Sequence, residues 1–328
     1  MRNFYENKTM LVTGGAGSIG SALVKKLLEY NVKTIRVLDI NETGLFNLKQ
    51  QLHSSSIRLL IGDIKDKARL MRAVEDVDII FHSAALKHVP LCESNPFEAV
   101  QTNVLGTKNL IEAALQEEVE NFITISTDKA VNPINVLGAS KLLAERLTVS
   151  ANLYRGKRKT TFSCVRFGNV LNSQGSVLPV FREQLKNGGP LKVTDLGMTR
   201  FIMSMDNAVT LVLKAAQLSK GGEIFILKMA GLSIKDLAKA VIEEIAPEYK
   251  HVPEEIEIKL IGKRDGEKMY EELMNEDEAK IASETEDMFV LSSFNCQKNN
   301  NGAQVRVYKS RDSKLMTIDE IRKLLREI

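Results

Sequence analysis

Short apolar runs alternate with longer segments of helical periodicity along the first half of the chain. Six apolar or β-branched runs predict strands, and several are uninterrupted, as expected of strands that are covered on both faces. They span residues 10–13, 35–38, 57–61, 77–81, 122–126 and 162–167. Between them apolar residues recur at helical spacing, as at Ile19, Leu23 and Leu27. This alternation predicts an α/β fold with a Rossmann-like, doubly wound parallel sheet.

The pattern loosens after about residue 170, where paired glycines break the chain into shorter pieces. We therefore expect a Rossmann-like domain over residues 1–170 and a smaller α/β domain over residues 171–328. The run EIFILK at 223–228 predicts one more strand, which can return to the main sheet. The polar run QKNNNG at 297–302 predicts a loop. Thr317 and Glu320 form a capping-box pattern ahead of a predicted final helix at 318–326.

Composition and charge exclude several classes of protein. Apolar residues make up 44% and charged residues 27% of the 328, which excludes disordered and collagen-like chains. The net charge of 45 − 42 = +3 is too small to indicate a nucleic-acid partner. Cys92, Cys164 and Cys296 are too widely spaced for a disulfide framework or a zinc site, so we predict no metal and a reducing, cytoplasmic setting. The sequence shows neither a signal-peptide pattern nor an apolar run of membrane-spanning length.

The first predicted strand leads directly into TGGAGSIG, which places Gly14, Gly17 and Gly20 at the start of the first helix. Glycine permits a tight turn and a close backbone approach to a pyrophosphate, and the first N–H groups of a helix favour an anion. The Gly-Lys-Ser/Thr sequence of a P-loop is absent, which disfavours ATP. The motif favours a dinucleotide site within residues 1–170. A strand-to-helix turn without any ligand is the alternative.

Two aspartates follow the next predicted strands. Asp39 lies nineteen residues beyond Gly20, near the offset at which a carboxylate accepts hydrogen bonds from an adenosine ribose. Because a carboxylate there repels a 2′-phosphate, NAD is favoured over NADP. Asp63 follows the third strand and is expected near the adenine edge. For both residues the alternative is an ordinary turn or helix cap.

The fifth predicted strand ends in STDK, which places Ser126, Thr127, Asp128 and Lys129 at the carboxyl end of a strand. Open α/β sheets bind their ligands at that edge. Lys141 follows twelve residues later, at the start of a helix that is expected to face the nicotinamide. A single lysine is more often a solvated surface charge than a catalyst. The grouping favours a catalytic site.

Seven sequence blocks together indicate a family. They are TGGAGSIG at 13–20, AALKHVPLCESNPFEAVQTNVLGT at 84–107, STDKAVNP at 126–133, GASK at 138–141, RFGNVLNSQGSVLPVF at 166–181, MTRF at 198–201 and RDGEKMYEEL at 264–273. From about residue 8 to 285 the chain resembles extended short-chain dehydrogenases/reductases of the nucleotide-sugar 4,6-dehydratase type. It is most similar to the UDP-N-acetylglucosamine 4,6-dehydratases of surface-glycan synthesis.

The resemblance implies a lyase that uses a tightly bound, recycled NAD. The sugar is oxidised at C4 and loses a proton from C5 and the hydroxyl from C6 as water, and the hydride then returns to C6. Lys129 is implied as the base at C5, Asp128 as the acid at C6, Thr127 as the group that holds the C4 oxygen and Lys141 as a ligand of the nicotinamide ribose. We expect Lys141 and the nicotinamide to lower the pKa of Lys129, and burial to keep Asp128 protonated.

The resemblance also implies two sets of binding residues. The cofactor set is Gly14, Gly17, Ser18, Ile19, Gly20, Asp39, Asp63, Ile64, Ala84 and Lys141. The substrate set, for a UDP-sugar with UDP-N-acetylglucosamine favoured, is Lys87, Asn103, Asn169, Ser173, Arg200, Arg264 and Glu267. Lys87 and Asn103 are expected near the sugar and the others near the diphosphate, which arginine binds bidentately. Asp265 stands where the family usually has proline, which makes the nucleotide less certain.

Leu137 departs from the short-chain dehydrogenase pattern, which usually has tyrosine four residues before the lysine. A hydrocarbon cannot deprotonate the C4 hydroxyl, so Asp128, directly or through a water, is the expected substitute. Simple UDP-sugar 4-epimerases depend on that tyrosine, which makes an epimerase the second interpretation and a redox-silent NAD-binding sensor the third. The configuration at C5 stays open. We expect a homo-oligomer, a dimer or larger.

Overall fold

A nine-stranded, mostly parallel sheet forms the centre of the computed structural model, which describes residues 1–292 and 305–327. The strands, numbered along the chain, are β1 Thr9–Thr13, β2 Thr34–Asp39, β3 Ile57–Ile61, β4 Ile79–His82, β5 Asn121–Thr127, β6 Thr161–Phe167, β7 Asn169–Val170, β8 Leu191–Val193, β9 Thr199–Met203, β10 Ile224–Leu227, β11 Ala230–Ser233, β12 Ile258–Leu260, β13 Glu272–Met274, β14 Ala282–Glu284, β15 Met288–Leu291 and β16 Tyr308–Lys309.

The strand order of the main sheet is β14-β15-β10-β6-β5-β4-β1-β2-β3. All neighbours from β3 to β10 are parallel, whereas β15 and β14 add an antiparallel edge. The order reverses between β1 and β4, which pair from Met10 with Ile79 to Thr13 with His82. Loops that leave two such strands run in opposite directions and open a crevice at their carboxyl ends.

Helices cover both faces of the sheet. They are α1 Arg2–Tyr5, α2 Ser18–Leu27, α3 Glu42–Gln51, α4 Lys67–Val74, α5 Val89–Ser94, α6 Pro96–Ala99, α7 Thr107–Gln116, α8 Val136–Tyr154, α9 Val177–Lys186, α10 Met205–Leu218, α11 Ile234–Ile245, α12 Glu276–Ala279 and α13 Ile318–Arg326. Neighbouring residues of β1 belong to different hydrophobic clusters. Val12 is in one cluster with Leu23 of α2, and Leu11 is in another with Leu110 of α7. Alternating side chains of a strand point to opposite faces, so uninterrupted apolar strands are stable here.

The predicted strands and the final helix agree with the structure to within two residues. The predicted strand at 77–81 begins only at Ile79 because the Val77 N–H donates to the Val74 carbonyl (3.0 Å), which closes the turn after α4. The predicted strand at 223–228 is β10, which joins the main sheet beside β6. Both hydrogen bonds of the capping box predicted ahead of α13 are present. Cys296 and the predicted loop at 297–302 lie outside the described residues.

Residues beyond 170 contribute β10, β14 and β15 to the main sheet and also form three smaller sheets. A separate buried cluster joins α9, α11 and α13 through Phe181, Val241 and Ile321. The division into domains at residue 170 stays a prediction. Since β7 follows β6 directly, this second part begins at the carboxyl edge of the main sheet, facing the crevice.

Candidate active site

The glycine turn after β1 packs against the end of β4. Gly14 has a φ of +66°, and a Cβ there would lie 2.6 Å from the backbone nitrogen of Ala84. A Cβ on Gly20 would lie 2.2 Å from the Gly14 carbonyl oxygen, so this position requires glycine for close packing of the turn on α2. Gly17 precedes α2 without a side-chain cap, and Ile19 lies in its first turn. The first N–H groups of α2 are therefore available to an anion.

Asp39 and Asp63 both take part in local turns. The Asp39 carboxylate accepts hydrogen bonds from the N–H groups of Ala16 and Asn41, both 2.9 Å long, and so fastens the glycine turn to the end of β2. Asp63 accepts from the Lys65 N–H (2.8 Å). The cap of α4 is Asp66 and not Asp63. Asp39 ends β2, the neighbour of β1, whereas Asp63 follows β3, one strand further out, and their ligand-binding roles stay predictions.

Ile64 and Ser18 also lie around this turn. Ile64 is buried, and a Cβ on Gly106 would lie 2.6 Å from its Cδ1 atom. The Ser18 hydroxyl oxygen accepts a hydrogen bond from the Gln174 N–H (2.9 Å). The glycine turn is thus joined to the segment after β7. Of the predicted substrate residues, Asn169 begins β7 and Ser173 lies in the segment that follows it.

Thr127, Asp128 and Lys129 come together where β5 passes into a 3₁₀ turn, Asp128–Ala130. The Thr127 hydroxyl donates to Asp128 Oδ1 (2.8 Å), and Lys129 Nζ donates to the same oxygen (3.0 Å). Asp128 is fully buried, whereas the Lys129 side chain is 22% exposed. Lys129 Nζ also lies 3.5 Å from Oε1 of Glu271, a buried carboxylate from the second part of the chain. The three predicted residues therefore form one contact group.

Charges around Lys129 favour its ammonium form. Burial alone lowers the pKa of Lys129, but the Asp128 and Glu271 carboxylates outweigh burial and leave the pKa raised, against a smaller opposing effect of Arg200. The main charges that act on Lys129 are those of Asp128, Glu271 and Arg200, and their net effect is to raise its pKa. The prediction that Lys141 lowers the pKa of Lys129 is therefore wrong for the protein chain by itself.

Lys141 is a buried residue of α8. Its Nζ donates to the Ile125 carbonyl (2.6 Å), and burial lowers the pKa of Lys141 against the attraction of Glu145. Leu137, one turn earlier, is 4% exposed and packs in a small apolar cluster with Cys92 and Ala99. The position that usually holds tyrosine is therefore part of the packing between α8 and the short helices before it.

Lys87 lies on the loop after β4, and Asn103 lies in the π-helical stretch Val100–Gly106 between α6 and α7. The Asn103 side chain hydrogen-bonds both backbone groups of Leu86, at 2.8 and 3.1 Å, and donates to the Ser140 hydroxyl (3.0 Å). Asn103 therefore positions the loop that carries Lys87. The Lys87 ammonium donates to the Gln174 carbonyl, and burial lowers the pKa of Lys87.

Arg200 and Glu267 form the centre of the predicted diphosphate group. Arg200 Nη2 lies 3.4 Å from Glu267 Oε1, and the Arg264 N–H donates to Glu267 Oε2 (3.2 Å). Arg200 Nε lies 3.9 Å from Oε1 of Glu271, which joins this group to the group of Lys129. Asp265 is exposed, so the unexpected carboxylate does not enter this buried contact.

Glu271 is a site residue that sequence reasoning missed. Its Oε2 atom, Asp128 Oδ2 and the hydroxyl of Ser126 are buried without a hydrogen-bond partner among the described residues. Buried polar atoms normally have a partner, and the two carboxylate oxygens, both from side chains that contact Lys129, indicate a place for a polar ligand. The only signal in the sequence was the position of Glu271 in the block RDGEKMYEEL.

Residues 10–293 match a family described as polysaccharide biosynthesis protein. The chain belongs to this family.

Several curated proteins are similar to this chain. One from Methanocaldococcus jannaschii, named as an uncharacterized membrane protein, is 64% identical over 99% of this chain and 97% of its own. A UDP-N-acetylglucosamine 4,6-dehydratase (inverting) of Campylobacter jejuni is 40% identical over 88% of this chain and 84% of its own. The predicted resemblance is confirmed. A UDP-glucose 4-epimerase of Rickettsia rickettsii is 35% identical over 98% of this chain and 96% of its own.

Solved structures of similar proteins share the fold. The X-ray structure of Pen from Bacillus thuringiensis covers 99% of both chains at 42% identity, with a TM-score of 0.93. The structure of a dTDP-glucose 4,6-dehydratase from Streptomyces venezuelae aligns with 80% of this chain and 86% of its own chain, at 24% identity and with a TM-score of 0.70. At this identity the similarity shows a shared fold and nothing more. The predicted Rossmann-like α/β fold is confirmed. In the part of the chain that the structure describes, every helix is too short or too polar to cross a bilayer.

Proposed function

We propose that this protein is an NAD-dependent 4,6-dehydratase of UDP-N-acetylglucosamine that serves surface-glycan synthesis. The observation that carries the proposal is the buried group of Thr127, Asp128 and Lys129 at the carboxyl end of β5, with an oxygen of Asp128 left unpartnered. An acid, a base and a hydroxyl within hydrogen-bond distance suit an elimination, which must take a proton from one carbon and give one to a leaving hydroxyl. The 40% identity to a UDP-N-acetylglucosamine 4,6-dehydratase supports the substrate and the reaction.

The cofactor site in this proposal lies within residues 1–170. The glycine turn and the uncapped start of α2 suit a pyrophosphate, and Asp39 suits an adenosine ribose without a 2′-phosphate. Asp63, Ile64 and Ala84 are proposed to complete the cofactor site. When bound, NAD supplies the hydride acceptor for C4 and the hydride donor for C6. Lys141, held near the end of β5, is the proposed ligand of the nicotinamide ribose.

Gly14→Ala is expected to lower the affinity for NAD by at least about tenfold. The new Cβ would lie 2.6 Å from the Ala84 nitrogen at a φ of +66°, so the turn must move away from the end of β4. A left-handed conformation alone costs a side chain about 1–2 kcal/mol. Gly156→Ala is the matched control because Gly156 has a φ of +60° and no atom within 4 Å of its Cβ position. Equal NAD affinities for the two variants in isothermal titration would contradict the proposed site.

The first proposed step is the transfer of the C4 hydroxyl proton to Asp128. Thr127 donates its hydroxyl hydrogen to Asp128 Oδ1, so it can receive the C4 proton on its oxygen as it passes its own proton to the carboxylate. This relay performs the task that Leu137 cannot. Asp128 is then neutral, and the largest attraction that holds a proton on Lys129 is removed.

In the second step neutral Lys129 takes the proton from C5. The C5–H electron pair forms the C5–C6 double bond, the C6–O bond breaks, and Asp128 returns its proton to the departing hydroxyl, which leaves as water. The C4 proton is thus recovered in the product water, and the C5–C6 double bond would be saturated by a proton at C5 and by the hydride that a bound nicotinamide would return to C6. Lys129 starts as an ammonium in the chain by itself, so we expect the rate to rise with pH until Lys129 is neutral.

The nucleotide sugar is proposed to bind mainly to residues 171–328. Arg200 and Arg264 are the proposed diphosphate ligands; Glu267 pairs with the Arg200 guanidinium and accepts from the backbone N–H of Arg264, whose side chain is exposed. Asn169 and Ser173 belong to the same set. Lys87, on the opposite side of the crevice and held by Gln174, is the proposed contact to the sugar.

Incubation with UDP-N-acetylglucosamine and NAD is expected to give a product lighter by one water molecule in mass spectrometry. Proton NMR of that product reports the configuration at C5, which we propose is inverted because the 40% identical relative is named an inverting enzyme. A product of unchanged mass would identify an epimerase, the second candidate, which the 35% identity to a UDP-glucose 4-epimerase favours and Leu137 disfavours. No product with any UDP-sugar tested would favour a sensor and overturn the proposal.

We also infer a cytoplasmic homo-oligomer. Cys92 and Cys164 are buried and free, as in a reducing compartment. Leu91, Phe97 and Leu143 are more than half exposed on α5, α6 and α8, which pack together. Apolar side chains on adjacent helices suit a contact between copies of the chain. A single-chain mass in light scattering would contradict an oligomer.

A further inference from the structure

We propose that Glu271 is a positioning residue of the dehydration step, the buried counter-charge that holds Lys129 at the reacting carbon. This inference rests on the proposed function and deepens it. Two carboxylates contact Lys129, and only Asp128 has a task in proton transfer. Glu271 would keep the ammonium that Lys129 forms in place when Asp128 is neutral.

The backbone of Glu271 is fixed on both sides. Its N–H donates to the Ser310 hydroxyl (3.0 Å), and its carbonyl accepts from the Ser310 N–H (2.9 Å). Ser310 is fully buried, and its hydroxyl also hydrogen-bonds Thr199 (2.8 Å), the residue before Arg200. The carboxylate is therefore directed towards the site by buried contacts from β9 and from the segment after β16.

The carboxylate of Glu271 is 3% exposed, and one of its two oxygens lies close to a positively charged group. Oε1 lies 3.5 Å from Lys129 Nζ and 3.9 Å from Arg200 Nε, whereas Oε2 has no partner among the described residues. Burying a carboxylate oxygen without a hydrogen-bond partner costs free energy of folding. The presence of such an oxygen here therefore points to a functional role. A second lysine, Lys268, donates to the Val131 carbonyl (2.7 Å) and is attracted by Glu271, but among the described residues no ion pair within 4 Å joins the two.

The charges around Lys129 assign different tasks to the two carboxylates. The charged groups that face this cluster are Asp128, Lys129, Arg200, Lys268, Glu271 and, more distantly, Glu272. Once Asp128 has accepted the C4 proton, Glu271 is the remaining anion in contact with Lys129. Removal of the C5 proton creates an ammonium, and an anion about 3.5 Å away stabilises it strongly in a buried setting. Glu271 therefore acts on the base without touching the sugar.

Glu271→Gln keeps the shape of the side chain and removes its charge. We expect the limiting kcat for dehydration, measured at pH values above the rising limb, to fall by about 10- to 100-fold with little change in KM or in bound NAD, because the base becomes weaker. We expect the rising limb of kcat against pH to move to lower pH by about one to three units, since a contacting anion stabilises the ammonium form. A purely structural role would lower activity without moving this limb.

Glu272→Gln is the matched control. Glu272 is the adjacent carboxylate and is also buried, but it accepts from Asn132 Nδ2 (2.6 Å) and pairs with Lys309 (3.2 Å). Its pH profile is expected to coincide with that of the wild type. Glu271→Asp keeps the charge at a greater distance and should give an intermediate profile, which also covers the case in which Glu271→Gln fails to fold.

A second readout needs no turnover and so separates this proposal from the proposed function. The titration of Lys129 is followed by NMR of lysine labelled with carbon-13 at Cε, assigned by the signal lost in Lys129→Ala. We expect the Lys129 midpoint to lie lower in Glu271→Gln than in the wild type or in Glu272→Gln. Equal midpoints would overturn the role of Glu271 even if the enzyme dehydrates its substrate. A wild type that titrates as expected but gives no dehydrated product would overturn only the proposed function.

Discussion

Lys129→Ala and Asp128→Asn are each expected to lower the rate of dehydration by about 10²–10⁴-fold. Alanine has no base to take the C5 proton. Asparagine cannot accept the C4 proton from Thr127 or deliver one to the C6 hydroxyl, although it keeps the shape and the hydrogen bond of Asp128. Both residues act in proton transfer, so both variants should retain NAD. Steady-state turnover of UDP-N-acetylglucosamine, measured by mass spectrometry, gives the rates.

The two variants should stop at different steps. In Lys129→Ala the relay from Thr127 to Asp128 is intact, so C4 oxidation proceeds and the absorbance of reduced nicotinamide should accumulate. In Asp128→Asn the C4 proton has no acceptor, and that absorbance should not appear. Lys280→Ala is the control because Lys280 is an exposed lysine paired with Asp277 on α12. Full turnover by Lys129→Ala or Asp128→Asn would show that the proposed roles are wrong.

The sequence predicted the parts of the fold that depend on local patterns. The apolar runs of β1, β5 and β6 are buried on both faces, so each run by itself identified a strand. The glycine turn was recognisable because Gly14 and Gly20 meet each other within one strand-turn-helix unit, whereas the contact of Gly14 with Ala84, after β4, depends on the tertiary fold. Thr127, Asp128 and Lys129 are consecutive, so their place at the end of β5 followed from the strand alone.

The environment of Lys129 could not be predicted in this way. Glu271 is far away along the chain and reaches Lys129 only through the contacts of Ser310. Lys141 is nearer in sequence, but its side chain ends at the Ile125 carbonyl inside the sheet. The sign of the pKa shift of Lys129 is decided by these tertiary contacts, and periodicity and spacing contain no information about them.

Arg166→Ala is expected to lower the free energy of unfolding by about 3–5 kcal/mol. Arg166 is 1% exposed on β6, and its guanidinium pairs with Glu145 of α8 (2.7 Å) and Glu278 of α12 (2.9 Å). It also donates to the Leu273 carbonyl (3.0 Å). Alanine leaves two carboxylates without a counter-charge, one of them fully buried, and that desolvation exceeds the cost of the lost side-chain packing. Urea unfolding followed by circular dichroism measures the change.

The same arginine connects stability with the site. Glu278 completes the capping box of α12, and β13 lies between α12 and Glu271, so Arg166 fastens to the sheet the segment that presents Glu271 to Lys129. Arg166→Met combined with Glu145→Leu and Glu278→Gln replaces the ion cluster by uncharged groups and should recover most of the lost stability. An Arg166→Ala variant that loses less than about 1 kcal/mol would indicate that water solvates the two carboxylates. Arg166→Ala, assayed where it is still folded, should also shift the pH profile of kcat towards that of Glu271→Gln, because the carboxylate beside Lys129 is no longer held in place.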